Sequence, residues 1–117
     1  MATSPFSNMN NIEDVTSEFT LGSTITKTYF FVYKCGRMIY GCFRGSTSAN
    51  PSTTADPIIF SVPAKYKPIR GNYATPAART WIVDENAAAN YYNGNIVFAA
   101  SMYKKDVGYA FSFSWLF

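Results

Sequence analysis

The last ten residues, Gly108 to Phe117, constrain this chain most. Tyr109, Phe111, Phe113, Trp115 and Phe117 occupy every second position, with Ala110, Ser112 and Ser114 between them. A pleated strand sends successive side chains to opposite faces, so this spacing makes a strand with one aromatic face and one small, polar face. Five large rings need cover. The chain's own core is one source; a neighbouring copy is another, since large exposed apolar patches mark interaction surfaces. The Ala and Ser face can approach another sheet or chain closely.

The same style runs upstream. Thr26 to Tyr33 is rich in Thr, Tyr, Phe and Val, which suit a half-buried pleated surface. Lys34-Cys35-Gly36-Arg37 supplies a turn with Gly where positive φ is needed, and Met38 to Phe43 reads as the return strand. Gly45 to Asp56 is a loop by composition, and Ile58 to Val62 is a short strand stopped by Pro63. Pro63 to Pro68 is a rigid connector, because its prolines bar it from a central ladder. Arg79 to Val83 reads as a strand, followed by a turn at Asp84-Glu85-Asn86. Ala87 to Tyr92 and Asn95 to Tyr103 pair across an Asn93-Gly94 hairpin turn. Lys104-Lys105-Asp106 turns the chain into the final strand. No amphipathic helix pattern is present, and only Ile12 to Val15 could start a helical turn. Six or more short strands spaced about 10 residues apart imply an all-β, antiparallel sandwich of jelly-roll type. The expected organisation is a linker or shoulder over residues 1–24 and a β-sandwich over residues 25–117.

Composition narrows the chemistry. A chain of 117 residues and 13.0 kDa fits one domain. With 48% hydrophobic and 18% aromatic residues, the bulk of it is not a disordered chain. Net charge is +3, and the cations are dispersed rather than gathered in the stripe that nucleic-acid binding favours. No histidine is present. That removes Ser-His-Asp and Cys-His catalysis, histidine metal sites and histidine pH switching. Two cysteines are too few for a disulfide scaffold or a zinc site. With Gly36-Arg37 at the hairpin tip, Cys35 lies opposite Met38 and Cys42 opposite Phe31, so the thiols are not partners. Both read as small buried hydrophobes in a reducing compartment. Met1 to Asn11 lacks the basic start and apolar core of a signal peptide, and the run Tyr29 to Tyr33 is far short of the roughly 20 residues of a membrane span.

The seven carboxylates are Glu13, Asp14, Glu18, Asp56, Asp84, Glu85 and Asp106. A glycosidase needs two facing each other across a cleft, whereas Asp84 and Glu85 are neighbours that a strand sends to opposite faces. No Asp-x-Asp-x-Asp spacing suggests calcium. These residues read as solvated turn positions; no metal, cofactor or catalytic group is expected. Saccharide recognition is better served. It takes an aromatic ring to stack on C–H-rich sugar faces, with planar polar groups beside it for the hydroxyls. Arg79, Trp81, Asp84, Tyr91, Tyr92 and Asn93, with Asn90 and Asn95, bring those types together. The competing reading puts Trp81 in the core and lets Tyr91 and Tyr92 span the sheet, one in and one out.

The hairpin Val32-Tyr33-Lys34-Cys35-Gly36-Arg37-Met38-Ile39-Tyr40 resembles one found in C-terminal domains of phage tail and baseplate proteins. A polar loop follows, then Val62-Pro63-Ala64-Lys65-Tyr66-Lys67-Pro68, the Asn93 to Ile96 turn and the terminal aromatic strand. The resemblance covers Ile25 to Phe117 and rests on the order of these short motifs. It implies a non-enzymatic, homotrimeric receptor-binding head at the phage tail tip or baseplate of a virion. Its partners would be host cell-surface polysaccharide and other tail proteins, without nucleic acid or membrane insertion. Members usually carry a long shaft or anchoring domain, whereas this sequence has only a short lead before Ile25. Alternatives are a structural virion subunit of the same fold without its own ligand, a monomeric carbohydrate-binding module, and a small hydrolase.

Overall fold

The computed structural model describes residues 11–51, 57–69, 89–99 and 103–117. They form eight strands: β1 (Ile12–Asp14), β2 (Thr20–Leu21), β3 (Ile25–Cys35), β4 (Met38–Thr47), β5 (Ile58–Ser61), β6 (Ala89–Tyr92), β7 (Asn95–Phe98) and β8 (Tyr109–Leu116). Two single 3-10 turns, Thr16–Glu18 and Ala64–Tyr66, complete the described elements. The strands make two four-stranded sheets, ordered β1-β3-β4-β8 and β2-β5-β7-β6, antiparallel throughout. The chain is therefore all-β and sandwich-like, as its alternation and turn chemistry require.

The two sheets meet through rings. Phe60 on β5 lies 5.0 Å from Phe113 on β8 and 5.1 Å from Phe30 on β3, centroid to centroid. Phe98 on β7 lies 5.5 Å from Tyr109 on β8. The terminal strand shows the alternation in full, with Tyr109, Phe111, Phe113 and Trp115 buried and Ser112, Ser114 and Leu116 exposed. Burying each ring contributes about 1.5–3 kcal/mol. One copy thus covers the Tyr109 to Trp115 rings with its own second sheet, so of the two sources of cover the chain's own core supplies theirs.

Both hairpin turns follow their residues. Gly36 has φ 58° at the β3–β4 turn, and Asn93 and Gly94 have φ 50° and 85°. Two positive φ values define the primed turn whose twist matches a tight hairpin, which Asn-Gly adopts most readily. Gly41 on β4 serves a different need. A Cβ there would collide with the Phe31 carbonyl and the Phe113 ring, so only Gly lets these strands and that ring close.

Four sequence expectations change. Ile12–Asp14 is an edge strand, not a helical turn. β1 pairs with β3, β2 pairs with β5, and Val15 and Phe19 are buried. Past β1 the pairing is prolonged by Thr16, whose Oγ1 accepts the Val32 N–H at 2.9 Å, while Val15 N–H donates to the Val32 carbonyl at 2.9 Å. Strands of two or three residues carry no readable period, so only the partner strand reveals them. Gly45-Ser46-Thr47, expected to open a loop, extends β4 opposite Ile25–Lys27. Thr47 is fully buried, and its hydroxyl shares a 2.8 Å hydrogen bond with that of Thr24. β7 stops at Phe98 instead of reaching Tyr103. Finally, Cys35 and Cys42 are partly exposed rather than buried.

The register places Cys35 opposite Met38 and Cys42 opposite Phe31. Thiol titration after denaturation without reductant is expected to find both cysteines free. Burial also pushes the Cys42 thiol above its ordinary value, so in the native protein it should alkylate more slowly than a free thiol at neutral pH.

A polar cluster ties the N-terminal segment to the connector before Ile69. Glu18 accepts a 2.9 Å hydrogen bond from the Tyr66 hydroxyl and pairs with the Lys65 ammonium. Lys65 first, then Tyr66, hold the Glu18 carboxyl below its ordinary value of 4.5, while desolvation opposes them. A depressed carboxylate contributes stability above its unfolded value and loses it as pH falls through the lower folded one. The stability gap between wild type and Glu18→Gln, read from denaturant midpoints, should therefore narrow from about pH 7 to about pH 3. An unchanged gap would mean that the pair contributes nothing.

Candidate functional site

The β6–β7 hairpin carries the described part of the site expected from sequence. Tyr91 is only 3% exposed and pairs with Ile96 in the core, so its ring contributes to the fold. Tyr92, its neighbour, points the other way and is 51% exposed. Across the hairpin it faces Asn95, and Asn90 lies two residues back on the same face. Asn95 Nδ2 donates to the Asn93 carbonyl at 3.3 Å, which orients the Asn95 amide beside the turn. Val97, farther along this face, is buried. The open part is thus the tip, where one tyrosine ring is bordered by Asn90, Asn93 and Asn95. Such a ring offers an apolar face, and the amides offer donors and acceptors in fixed planes. Arg79, Trp81 and Asp84, the other residues expected at the site, lie outside the described residues.

A second surface was not anticipated from the sequence. The middle of β3, Tyr29 to Tyr33, is apolar on both faces. Phe30 and Val32 point inward, while Tyr29, Phe31 and Tyr33 point outward and continue into Tyr40 of β4. Their centroids follow one another at 5.2, 5.0 and 5.7 Å. The pairing sets this outer face in cross-strand rows. One row is Ile12, Cys35, Met38 and Leu116, and the next is Asp14, Tyr33, Tyr40 and Ser114. Then come Phe31, Cys42 and Ser112, and last Tyr29, Arg44 and Ala110. The visible hint is the unbroken run Tyr29 to Tyr33. A strand that is large and apolar at every position must bury both faces or show one of them.

The two ends of this face differ. At the Gly36-Arg37 end, Ile12, Met38 and Leu116 are exposed in one row, and exposed Ile69 joins them by donating its N–H to the Leu116 carbonyl at 3.0 Å. At the other end, Tyr29 is 53% exposed beside Arg44. An open hollow of about 210 Å³ lies there, lined by Tyr29, Cys42, Arg44, Ala110 and Ser112, with Phe43 and Phe111 beneath.

The described carboxylates, Asp106 apart, are engaged in structural contacts. Glu13 pairs with Lys34 at 3.7 Å, and Asp14 accepts bonds from the Thr16 hydroxyl and N–H at 2.6 and 3.0 Å. Thr16 lowers the Asp14 carboxyl below its ordinary range. Glu18 is held by Lys65 and Tyr66. Asp106 sits in the turn before β8 at φ 60°, its N–H bonded to the Thr47 carbonyl.

No family model, no curated protein and no solved structure matches this chain.

Proposed function

We propose that this protein is a non-enzymatic receptor-binding head of a phage tail, a homotrimeric jelly-roll sandwich that attaches the virion to host cell-surface saccharides. The observation that carries the binding reading is Tyr92, a half-exposed ring bordered by the amides of Asn90, Asn93 and Asn95 at a hairpin tip. Among the described residues, eight strands in two sheets of four agree with a jelly roll in number. The row of Ile12, Met38 and Leu116 with Ile69 supplies an apolar patch for a neighbouring copy. The same patch also favours the second reading, a structural virion subunit with no ligand of its own.

Binding to host-wall oligosaccharides, measured on immobilised glycans, separates the two. Wild type should bind, and Tyr92→Ala should weaken binding about tenfold or more with a nearly unchanged melting temperature, since the ring is half in solvent. A protein that binds no host oligosaccharide favours the structural subunit. Light scattering should give three times the chain mass of 13.0 kDa, and Leu116→Glu should lower it. A wild-type particle of 13.0 kDa would overturn the trimer.

A further inference from the structure

We infer that the hollow between Tyr29 and Arg44 is a second binding site, and that it takes a sugar ring bearing an anionic group, a carboxylate or a phosphate. The anion is argued from this end of the sheet itself; only the sugar ring rests on the saccharide reading above.

Arg44 is exposed, opposite Tyr29 on β3 and Ala110 on β8. Among the described residues its guanidinium meets no carboxylate, because the two ion pairs there join Lys34 to Glu13 and Lys65 to Glu18. The acid on this outer face, Asp14, stands two rows away and on the far edge strand, already bonded to Thr16. Among the described residues, Arg44 is the cation that the register places at the hollow; Lys27, paired with Gly45, falls on the opposite face of the sheet, and Lys104 N–H is bonded to the inward-facing Tyr109 hydroxyl. A concave site with a field of one sign concentrates ligands of the other.

Shape selects the rest of the ligand. The hollow is mostly apolar, with Cys42, Ala110 and two phenylalanines forming its base and Ser112 supplying a hydroxyl. At about 210 Å³ it is smaller than the roughly 300–1,000 Å³ of pockets that enclose a drug-sized molecule, so it suits one ring. A ring stacked on Tyr29 would present its anionic substituent to the guanidinium, which binds carboxylate and phosphate in a two-pronged geometry.

The test compares intact protein on three probes: oligogalacturonate, its fully methyl-esterified neutral form, and a phosphomannan oligosaccharide. Wild type should prefer at least one anionic probe over the neutral one by about tenfold or more, and added salt should erode the preference. Whether the carboxylate or the phosphate probe is preferred identifies the group. Arg44→Gln, an exposed and structurally neutral change, should abolish the preference with no loss of melting temperature. Tyr29→Ala should weaken binding of the preferred probe, while Tyr92→Ala should leave the preference intact. Equal binding of charged and neutral probes, or a preference that survives Arg44→Gln, overturns the inference. If host oligosaccharides bind but none of the three probes does, this second site fails alone. If neither host oligosaccharides nor the probes bind, the saccharide reading fails with it.

Discussion

Contact between the two sheets hangs on Phe60. Its ring touches Phe113 and Phe30 of the opposite sheet and Phe19 of the N-terminal segment, at 5.0, 5.1 and 5.9 Å between centroids. Neither sheet is stable alone, because each has one face of large apolar side chains that water would disfavour. Phe60 is where those faces interlock, and it also fixes how the N-terminal segment crosses the end of the sandwich. Phe19 stacks on Tyr66 at 5.8 Å, and Tyr66 meets Phe117 at 5.2 Å. A continuous file of rings therefore runs from the first described turn to the last residue.

Polar tips on these rings tie down the loops. Trp115 Nε1 donates to the Tyr66 carbonyl at 2.7 Å in a buried position. The Tyr103 hydroxyl donates to the Asn50 carbonyl at 2.8 Å, and the Tyr109 hydroxyl accepts the Lys104 N–H. A buried carbonyl or N–H without a partner costs about 1–3 kcal/mol, so the tyrosines and Trp115 both fill the core and satisfy the connections around it. This helps explain how a chain with 18% aromatic residues holds together with few ion pairs among the described residues. It also leaves the outward tyrosines, Tyr29, Tyr33, Tyr40 and Tyr92, free of core duties and available to a ligand or a partner.

Legibility in the sequence followed the length of the pattern. β8 was readable to within one residue at each end, Gly108 to Phe117 against Tyr109–Leu116, because its sustained alternation admits one pairing of faces. The Cys35 and Cys42 register followed once the tip was placed at Gly36-Arg37, since a two-residue turn sets every later pair. The Asn93-Gly94 turn was readable from chemistry alone, and it settles that Tyr91 and Tyr92 take opposite faces. Which of the two faces the core was not readable, because both are tyrosine and the answer depends on where the other sheet lies. Arg44 escaped notice for a similar reason. Nothing near it in sequence marks it, and its neighbours Tyr29 and Ser112 come from strands 15 and 68 positions away.

By itself, then, the sequence determined the longer strands, the turns at Gly36-Arg37 and Asn93-Gly94, the cross-strand partners within those hairpins and the absence of histidine chemistry. All of these are set by local residue types and by a period of two. Tertiary structure decided which strands share a sheet, that Ile12–Asp14 and Thr20–Leu21 belong to different sheets, and that the terminal aromatic face is covered within one chain. It also decided that β3 leaves a second aromatic face outward, with Arg44 at one end and an apolar row at the other. Such choices depend on contacts between residues far apart in the chain, whose energies appear only when the sheets close on each other.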